Sequence, residues 1–79
     1  MNRSSTLLVY PNPVTTQLHL QYTATEPTKA QIVDAAGRVV RQMLLLQGDN
    51  ALMVDVAGLK SGVYWLKIGA YTRSFVKSD

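Results

Sequence analysis

Few residues in this chain have side chains suited to catalysis or metal binding. His19 is the single histidine, cysteine is absent, and only five acidic residues are spread over 79 positions. The alternation of apolar and polar residues around His19 places it on the polar face of a strand, and no carboxylate has a predictable position beside it. We therefore interpret His19 as a solvent-exposed surface histidine rather than a general base or a ligand.

Three aspartates fall at predicted turns or strand ends: Asp34, Asp49 and Asp55. Short carboxylates at such positions most often accept hydrogen bonds from nearby backbone N–H groups. A calcium site is the alternative, but the spacing of these residues does not match a calcium-binding loop such as the EF-hand. Since paired carboxylates are also missing, the sequence predicts a protein with no catalytic residue, no metal and no cofactor.

Trp65 is the one residue whose pattern alone favours binding. In the segment "GVYWLKI", alternation predicts three outward-facing residues: Val63, Trp65 and Lys67. An exposed tryptophan beside a lysine is typical of a recognition surface. The alternative is that Trp65 is covered by a second sheet or by neighbouring side chains, and the sequence leaves both interpretations open.

Length and charge restrict the class of protein. Seventy-nine residues form one small domain, and the net charge of +3 comes from cations that are scattered without a run of three, which disfavours nucleic-acid binding. No apolar run approaches the roughly 20 residues that span a bilayer. The apolar stretch in "MNRSSTLLVY" is too short to be the apolar region of a signal peptide. We expect either a cytoplasmic protein or a piece of a longer precursor.

Seven short strands are predicted. Three segments alternate clearly, at residues 17–22, 50–56 and 62–68. Residues 71–77 are interpreted as the last strand, although adjacent Phe75 and Val76 leave its buried face open. The residues expected to face the core are Leu18, Leu20, Tyr22, Leu52, Val54, Val56, Tyr64, Leu66 and Ile68. The segment "RVVRQMLLLQ" fits a helix about as well as a strand, but a turn on each side favours a strand.

Turn residues separate these strands. "DAAGR" predicts a hairpin with a bulge, "QGDN" predicts a second hairpin, and Gly69 with Ala70 predicts a two-residue turn. In "VYPNP", Pro11 and Pro13 have no N–H and disfavour the α conformation of the residues before them, so they end the first strand and blunt its edge. Seven strands with this turn spacing predict an all-β antiparallel sandwich or barrel.

Taken in order, five segments resemble a known family: "YPNP", "LHLQY", "VDAAGRVV", "DVAGLKSGVYWLKI" and "RSFVK". From about Leu7 to Lys77 the chain resembles the type A C-terminal sorting domain of type IX secretion cargo from Bacteroidetes. The resemblance implies a seven-stranded antiparallel immunoglobulin-like β-sandwich that ends a larger secreted protein. It assigns residues 7–79 to the sorting domain and residues 1–6 to the end of a linker.

The resemblance also implies partners and a destination. The folded domain would be recognised in the periplasm by a shuttle protein and carried, with the N-terminal cargo domains, through the outer-membrane translocon to the cell surface or the extracellular space. A sortase-like cysteine protease would then remove it by cutting near Asn2, Arg3, Ser4, Ser5 or Thr6. Pairing of edge strands between two copies is a further option, and no nucleic acid is expected.

The family motifs fall on specific residues of this chain. Those implied in recognition are Tyr10, Pro11, Asn12, Pro13, Gly37, Arg38, Gly58, Leu59, Gly62, Val63, Tyr64, Phe75, Val76 and Lys77. On the final two strands, Lys67, Arg73 and Lys77 are expected to face an acidic groove of the shuttle or translocon. The alternative function is a glycan-binding or spacer β-sandwich that uses Trp65 as a stacking platform.

Overall fold

The computed structural model describes residues 7–79, and these form seven β-strands and no helix. The strands are β1 (Leu7–Tyr10), β2 (Gln17–Ala24), β3 (Thr28–Val33), β4 (Val39–Leu45), β5 (Gly48–Asp55), β6 (Gly62–Ile68) and β7 (Tyr71–Lys77). The segment that fitted helix and strand equally is therefore a strand, as predicted. The described part of the chain contains no helix long and apolar enough to cross a membrane.

The strands form two sheets that pack face to face. The three-stranded sheet has the order β1-β2-β5, the four-stranded sheet has the order β4-β3-β6-β7, and all these strand pairs are antiparallel. This arrangement confirms the predicted immunoglobulin-like β-sandwich.

The core lies between the sheets and follows the predicted alternation. Seven of the nine residues expected to face inward are buried, and Tyr22 and Leu52 are half-buried against them. Phe75 is buried whereas Val76 is exposed, which identifies the inner face of β7.

Two turns have the geometry that their residues predict. Between β3 and β4, the Asp34 carboxylate accepts hydrogen bonds from the backbone N–H groups of Ala36 and Arg38, both at 2.9 Å, and Gly37 has a φ of +85°. A register shift between Ile32 and Val33 supplies the predicted bulge. Between β6 and β7, Gly69 has a φ of +57° and the turn spans two residues.

The hairpin predicted at "QGDN" is wrong. β4 pairs only with β3, and β5 pairs only with β2, so the connection between β4 and β5 crosses from one sheet to the other. The side chain of Asn50 closes this connection locally by donating to the carbonyl oxygens of Leu46, at 2.9 Å, and Gly48, at 3.0 Å. Turn-forming residues set the tight local geometry, but they do not determine which strands pair across it.

Both sides of the sandwich are closed by hydrogen bonds between the sheets. On one side, the Arg41 Nε of edge strand β4 donates to the carbonyl oxygen of Asp55 on edge strand β5 at 3.0 Å. On the other side, Val14, in the connection between β1 and β2, pairs with the end of β7. These contacts fix the two sheets relative to one another at the same end of the molecule.

Candidate functional site

Every segment that carries a family motif reaches the same end of the sandwich. Three connections lie at this end together with the C-terminal end of β7: residues 11–16, 34–38 and 56–61. In the three-stranded sheet, Gln17 at the start of β2 pairs with Asp55 at the end of β5. In the four-stranded sheet, Gly62 at the start of β6 pairs with Lys77 at the end of β7. We call this the motif end. Leu7, which pairs with Tyr22, lies at the opposite end of the molecule.

The first motif is hydrogen-bonded to the last one. The Asn12 side-chain oxygen accepts a hydrogen bond from the backbone N–H of Val76 at 2.9 Å. Val14 then donates its N–H to the Val76 carbonyl at 2.8 Å and accepts from the Ser78 N–H at 2.7 Å. Residues 12–14 thus lie along the free edge of β7 near its C-terminal end, where they satisfy backbone groups of an edge strand.

The two prolines frame this contact. The Tyr10–Pro11 and Asn12–Pro13 peptide bonds are both cis, and β1 ends at Tyr10 as predicted. The chain turns from the three-stranded sheet toward β7 across these residues. Pairing of a second copy with β7 at Val76 would require displacement of residues 12–14.

The segments "DVAGLKSGVYWLKI" and "RSFVK" form the buried part of the motif end. The rings of Tyr64 on β6 and Phe75 on β7 are stacked with their centroids 5.7 Å apart. The Tyr64 hydroxyl donates to the carbonyl oxygen of Lys60 at 2.6 Å, which ties the β5–β6 connection to β6. Since both aromatic side chains are buried, they shape the motif end and do not contact the surrounding solvent.

The segment "VDAAGRVV" forms a charged turn. The Arg38 guanidinium bonds to the Asp34 carboxylate at 3.0 Å, while the Arg38 side chain remains 80% exposed. The backbone N–H of Arg38 is the main cause that holds the pKa of Asp34 below its ordinary value. The Ala36 N–H and the Arg38 charge act in the same direction, and partial desolvation opposes them.

The expected outward position of Lys77 is wrong. The residue is 3% exposed, and its Nζ donates to the Ser78 carbonyl oxygen at 2.9 Å. Alternation along β7 puts Lys77 on the same inner face as Phe75, where the aliphatic part of a lysine side chain is buried at lower cost than its charge. Lys67 and Arg73, in contrast, are exposed.

The residues considered for chemistry have structural contacts. The His19 ring stacks on Tyr10 with centroids 5.0 Å apart and planes 3° apart. Asp55, like Asp34, accepts from a backbone N–H, that of Ala57 at 2.9 Å. Asp49, the second residue of β5, accepts from the Thr23 hydroxyl at 2.8 Å rather than from the expected backbone N–H. Within residues 7–79 no three histidine or acidic side chains come together as a metal site would require.

Two structurally important residues were not identified from the sequence. Val14 is fully buried and joins the β1–β2 connection to β7, and Arg41 bridges two edge strands. A buried valine directly after "YPNP" gives only a weak sequence signal, because one apolar residue has no periodicity. Trp65 lies on the outer face as predicted, where it is half-buried, so the second sheet does not cover it.

The fold and the motif end together define the class of this protein: a small immunoglobulin-like β-sandwich whose sequence motifs gather at one end. A family model described as the secretion system C-terminal sorting domain matches residues 8–78. The chain therefore belongs to this family, the C-terminal sorting domains of type IX secretion. Searches among curated proteins and among solved structures gave no match.

Membership of the family establishes the general role. Such a domain is a sorting signal and is not itself catalytic. It is attached to a cargo, interacts with secretion machinery, and belongs to a protein destined for the outer membrane or the extracellular space.

Proposed function

We propose that this domain directs a cargo joined to its N-terminal side through the type IX outer-membrane translocon, after recognition in the periplasm by a shuttle protein. The observation that carries this proposal is the gathering of the motif segments at the end opposite Leu7. A cargo attached before Leu7 would leave that end accessible. Machinery can therefore approach the motif end without meeting the cargo.

The motif residues divide into two roles in this proposal. Those on the surface would be contacted by the machinery: Tyr10, Pro11, Asn12, Pro13, Gly37, Arg38, Gly58, Gly62, Lys67 and Val76. The buried ones, Tyr64, Phe75 and Lys77, would hold these surface residues in position. Recognition then depends on the folded domain, because its elements come from segments far apart in the sequence.

Removal of the domain by a sortase-like cysteine protease belongs to the same proposal. The expected cleavage region, Asn2 to Thr6, lies outside the described residues. From Leu7 onward the chain is paired with β2, and proteases require an accessible, unpaired segment. Cleavage before Leu7 would therefore leave the folded sandwich intact.

A fusion experiment tests the proposed function. A periplasmic reporter with its own signal peptide is joined to residues 1–79 and produced in a type IX-competent host and in an isogenic strain without the translocon. We expect the reporter at the surface or in the medium of the first strain and in the periplasm of the second. Retention in the periplasm of the competent strain would contradict the proposal.

The position of Trp65 on the outer face supports a second candidate function, a glycan-binding or spacer module. Trp65 is the only tryptophan in the chain, so its fluorescence reports binding at that position directly. Saturable change in emission on titration with soluble glycans, together with no export of the fusion, would favour this second function.

A further inference from the structure

Folding separates charges that are scattered in the sequence. The four strands of the four-stranded sheet contain no acidic residue and carry the cations Lys29, Arg41, Lys67, Arg73 and Lys77. The three-stranded sheet contains no lysine or arginine and carries Asp49 and Asp55. One layer of the sandwich is therefore cationic and the other is anionic.

The five cations of the four-stranded sheet differ in position. Arg73 is exposed, but it lies opposite the buried Leu66 and is therefore not on the outer face. Arg41 and Lys77 donate to backbone carbonyl oxygens, so their charges are used within the domain. Lys29 and Lys67 lie on the outer face and are exposed, since their neighbours Ala30 and Ile68 point into the core. The ion pair found within residues 7–79 joins Arg38 to Asp34 and involves neither lysine.

An apolar patch lies beside Lys67 on the same outer face. Trp65 on β6 is directly opposite Val33 on β3, which in turn is opposite Val39 on β4. Two residues from Trp65 along β6, Val63 is opposite Val76 on β7. Val39, Val63 and Val76 are 48%, 44% and 40% exposed. The patch is continuous with the motif end, because the Val76 N–H is the group that bonds to Asn12.

We propose that the outer face of the four-stranded sheet is a docking surface for an acidic protein of the export machinery. An apolar area of that protein would cover Trp65, Val63 and Val76, and its carboxylates would lie opposite Lys67 and Lys29. Apolar centres with a complementary charged rim are the usual composition of specific protein interfaces. The inference rests on the proposed function and specifies which face the machinery contacts.

Other occupants fit the face less well. Two copies related by a two-fold axis through this face would bring like charges together, which opposes association. Membrane surfaces are typically bound by clusters of about four to eight cations, whereas this face presents Lys29 and Lys67 beside an apolar patch. A protein with matching carboxylates satisfies both the charge and the apolar area.

The test is a charge reversal in the reporter fusion. Lys67→Glu should lower the delivered fraction about tenfold, because it replaces one favourable charge contact by a repulsive one. A control fusion with Leu8→Glu and Met53→Glu has the same change of net charge, but on exposed positions of the opposite sheet, and it should be delivered normally. Lys67→Gln, which keeps a polar side chain at this exposed position, should give an intermediate loss. Thermal unfolding of each purified fusion verifies that the domain is folded.

A position-specific crosslink identifies the contact directly. A photoreactive p-benzoylphenylalanine in place of Val63 should form an adduct with a component of the secretion machinery, and the crosslinked peptide should contain Asp or Glu. The same amino acid in place of Met53, exposed on the three-stranded sheet, should form no such adduct.

The outcomes separate this inference from the proposed function. If the unmodified fusion is delivered and folded Lys67→Glu is delivered equally well, the docking face is wrong and the sorting function stands. If the unmodified fusion is not delivered, both are wrong. Binding to phosphatidylglycerol vesicles, or a dimer on size exclusion, that Lys67→Glu abolishes would also overturn the acidic protein partner.

Discussion

The side chain of Asn12 and the backbone N–H of Val76 are joined by a 2.9 Å hydrogen bond across 64 residues of sequence. This bond connects the first motif of the domain to the last one. Together with the two backbone hydrogen bonds of Val14, it places residues 12–14 along the edge of β7. The C-terminal strand is therefore held by the segment that begins the fold, and its presentation depends on that segment.

Replacing Asn12 by alanine should loosen the end of β7. The Val76 N–H loses its acceptor, and we expect the free energy of unfolding to fall by about 0.5–1.5 kcal/mol. Urea unfolding measures this, and hydrogen exchange should show faster exchange at Val76. Thr15→Ala, an exposed change in the same connection, should leave both unchanged. Unaltered exchange at Val76 in the Asn12 variant would show that the contact does not hold the strand.

Glycine is required in the β3–β4 turn but not in the β5–β6 connection. Gly37 has a φ of +85°, so Gly37→Ala should destabilise the domain by about 1–2 kcal/mol. At Gly58, φ lies outside the positive region and an added Cβ meets no atom within 4 Å. Gly58→Ala should therefore be neutral or stabilise by about 0.4–1 kcal/mol. Equal losses in thermal unfolding would contradict this distinction.

The turn at Asp34 should make stability depend on pH under acidic conditions. Because the pKa of Asp34 is lowered in the folded domain, its contribution is complete above the ordinary value of 3.8 and is lost as the pH falls through the lower folded pKa. Asp34→Asn keeps the backbone acceptor and removes the titration. The stability difference between the two proteins should be constant near neutral pH and shrink below about pH 4. If the stability difference between the two proteins instead grew below about pH 4, the pKa of Asp34 could not be lowered by folding.

Lys77 should matter for folding rather than for direct charge recognition. Lys77→Met keeps an unbranched apolar side chain at a buried site, and we expect a change in unfolding free energy within about 1.5 kcal/mol and normal export of the fusion. Lys77→Glu buries an unpaired carboxylate and should cost several kcal/mol. Failure of a folded Lys77→Met fusion to be exported would show that the ammonium group itself is recognised.

Much of this fold can be predicted from local sequence patterns. The alternation in β2, β5 and β6 identified their inner faces, and "DAAGR" identified a bulged hairpin, because side-chain direction and turn geometry depend on residues that are close in sequence. The motif segments were identified by resemblance to the family. Their gathering at one end was not predicted, since it follows from the order of strands in each sheet.

The incorrect predictions share a physical cause. "QGDN" has the residues of a hairpin, but the pairing of β4 with β3 and β5 with β2 is determined by burial across the whole sandwich. Lys77 was expected to face a partner, and the sequence left open whether Phe75 or Val76 faces the core. The packing of Phe75 between the sheets puts Lys77, two residues further on, inside. Val14 is buried through a contact with β7 that no local pattern encodes. Long-range pairing decides each of these positions.

The central claim is that the folded motif end is the export signal. Its most direct test is the fraction of a reporter that reaches the cell surface when the reporter is fused to each of two shortened domains in turn. Deletion of residues 75–79 removes Phe75 from the core together with the β7 partners of Asn12 and Val14, and the reporter should remain in the periplasm. Deletion of Asp79 alone keeps every one of these contacts and should give normal delivery. Surface delivery of the fusion without residues 75–79, at the level of the intact fusion, would contradict the claim.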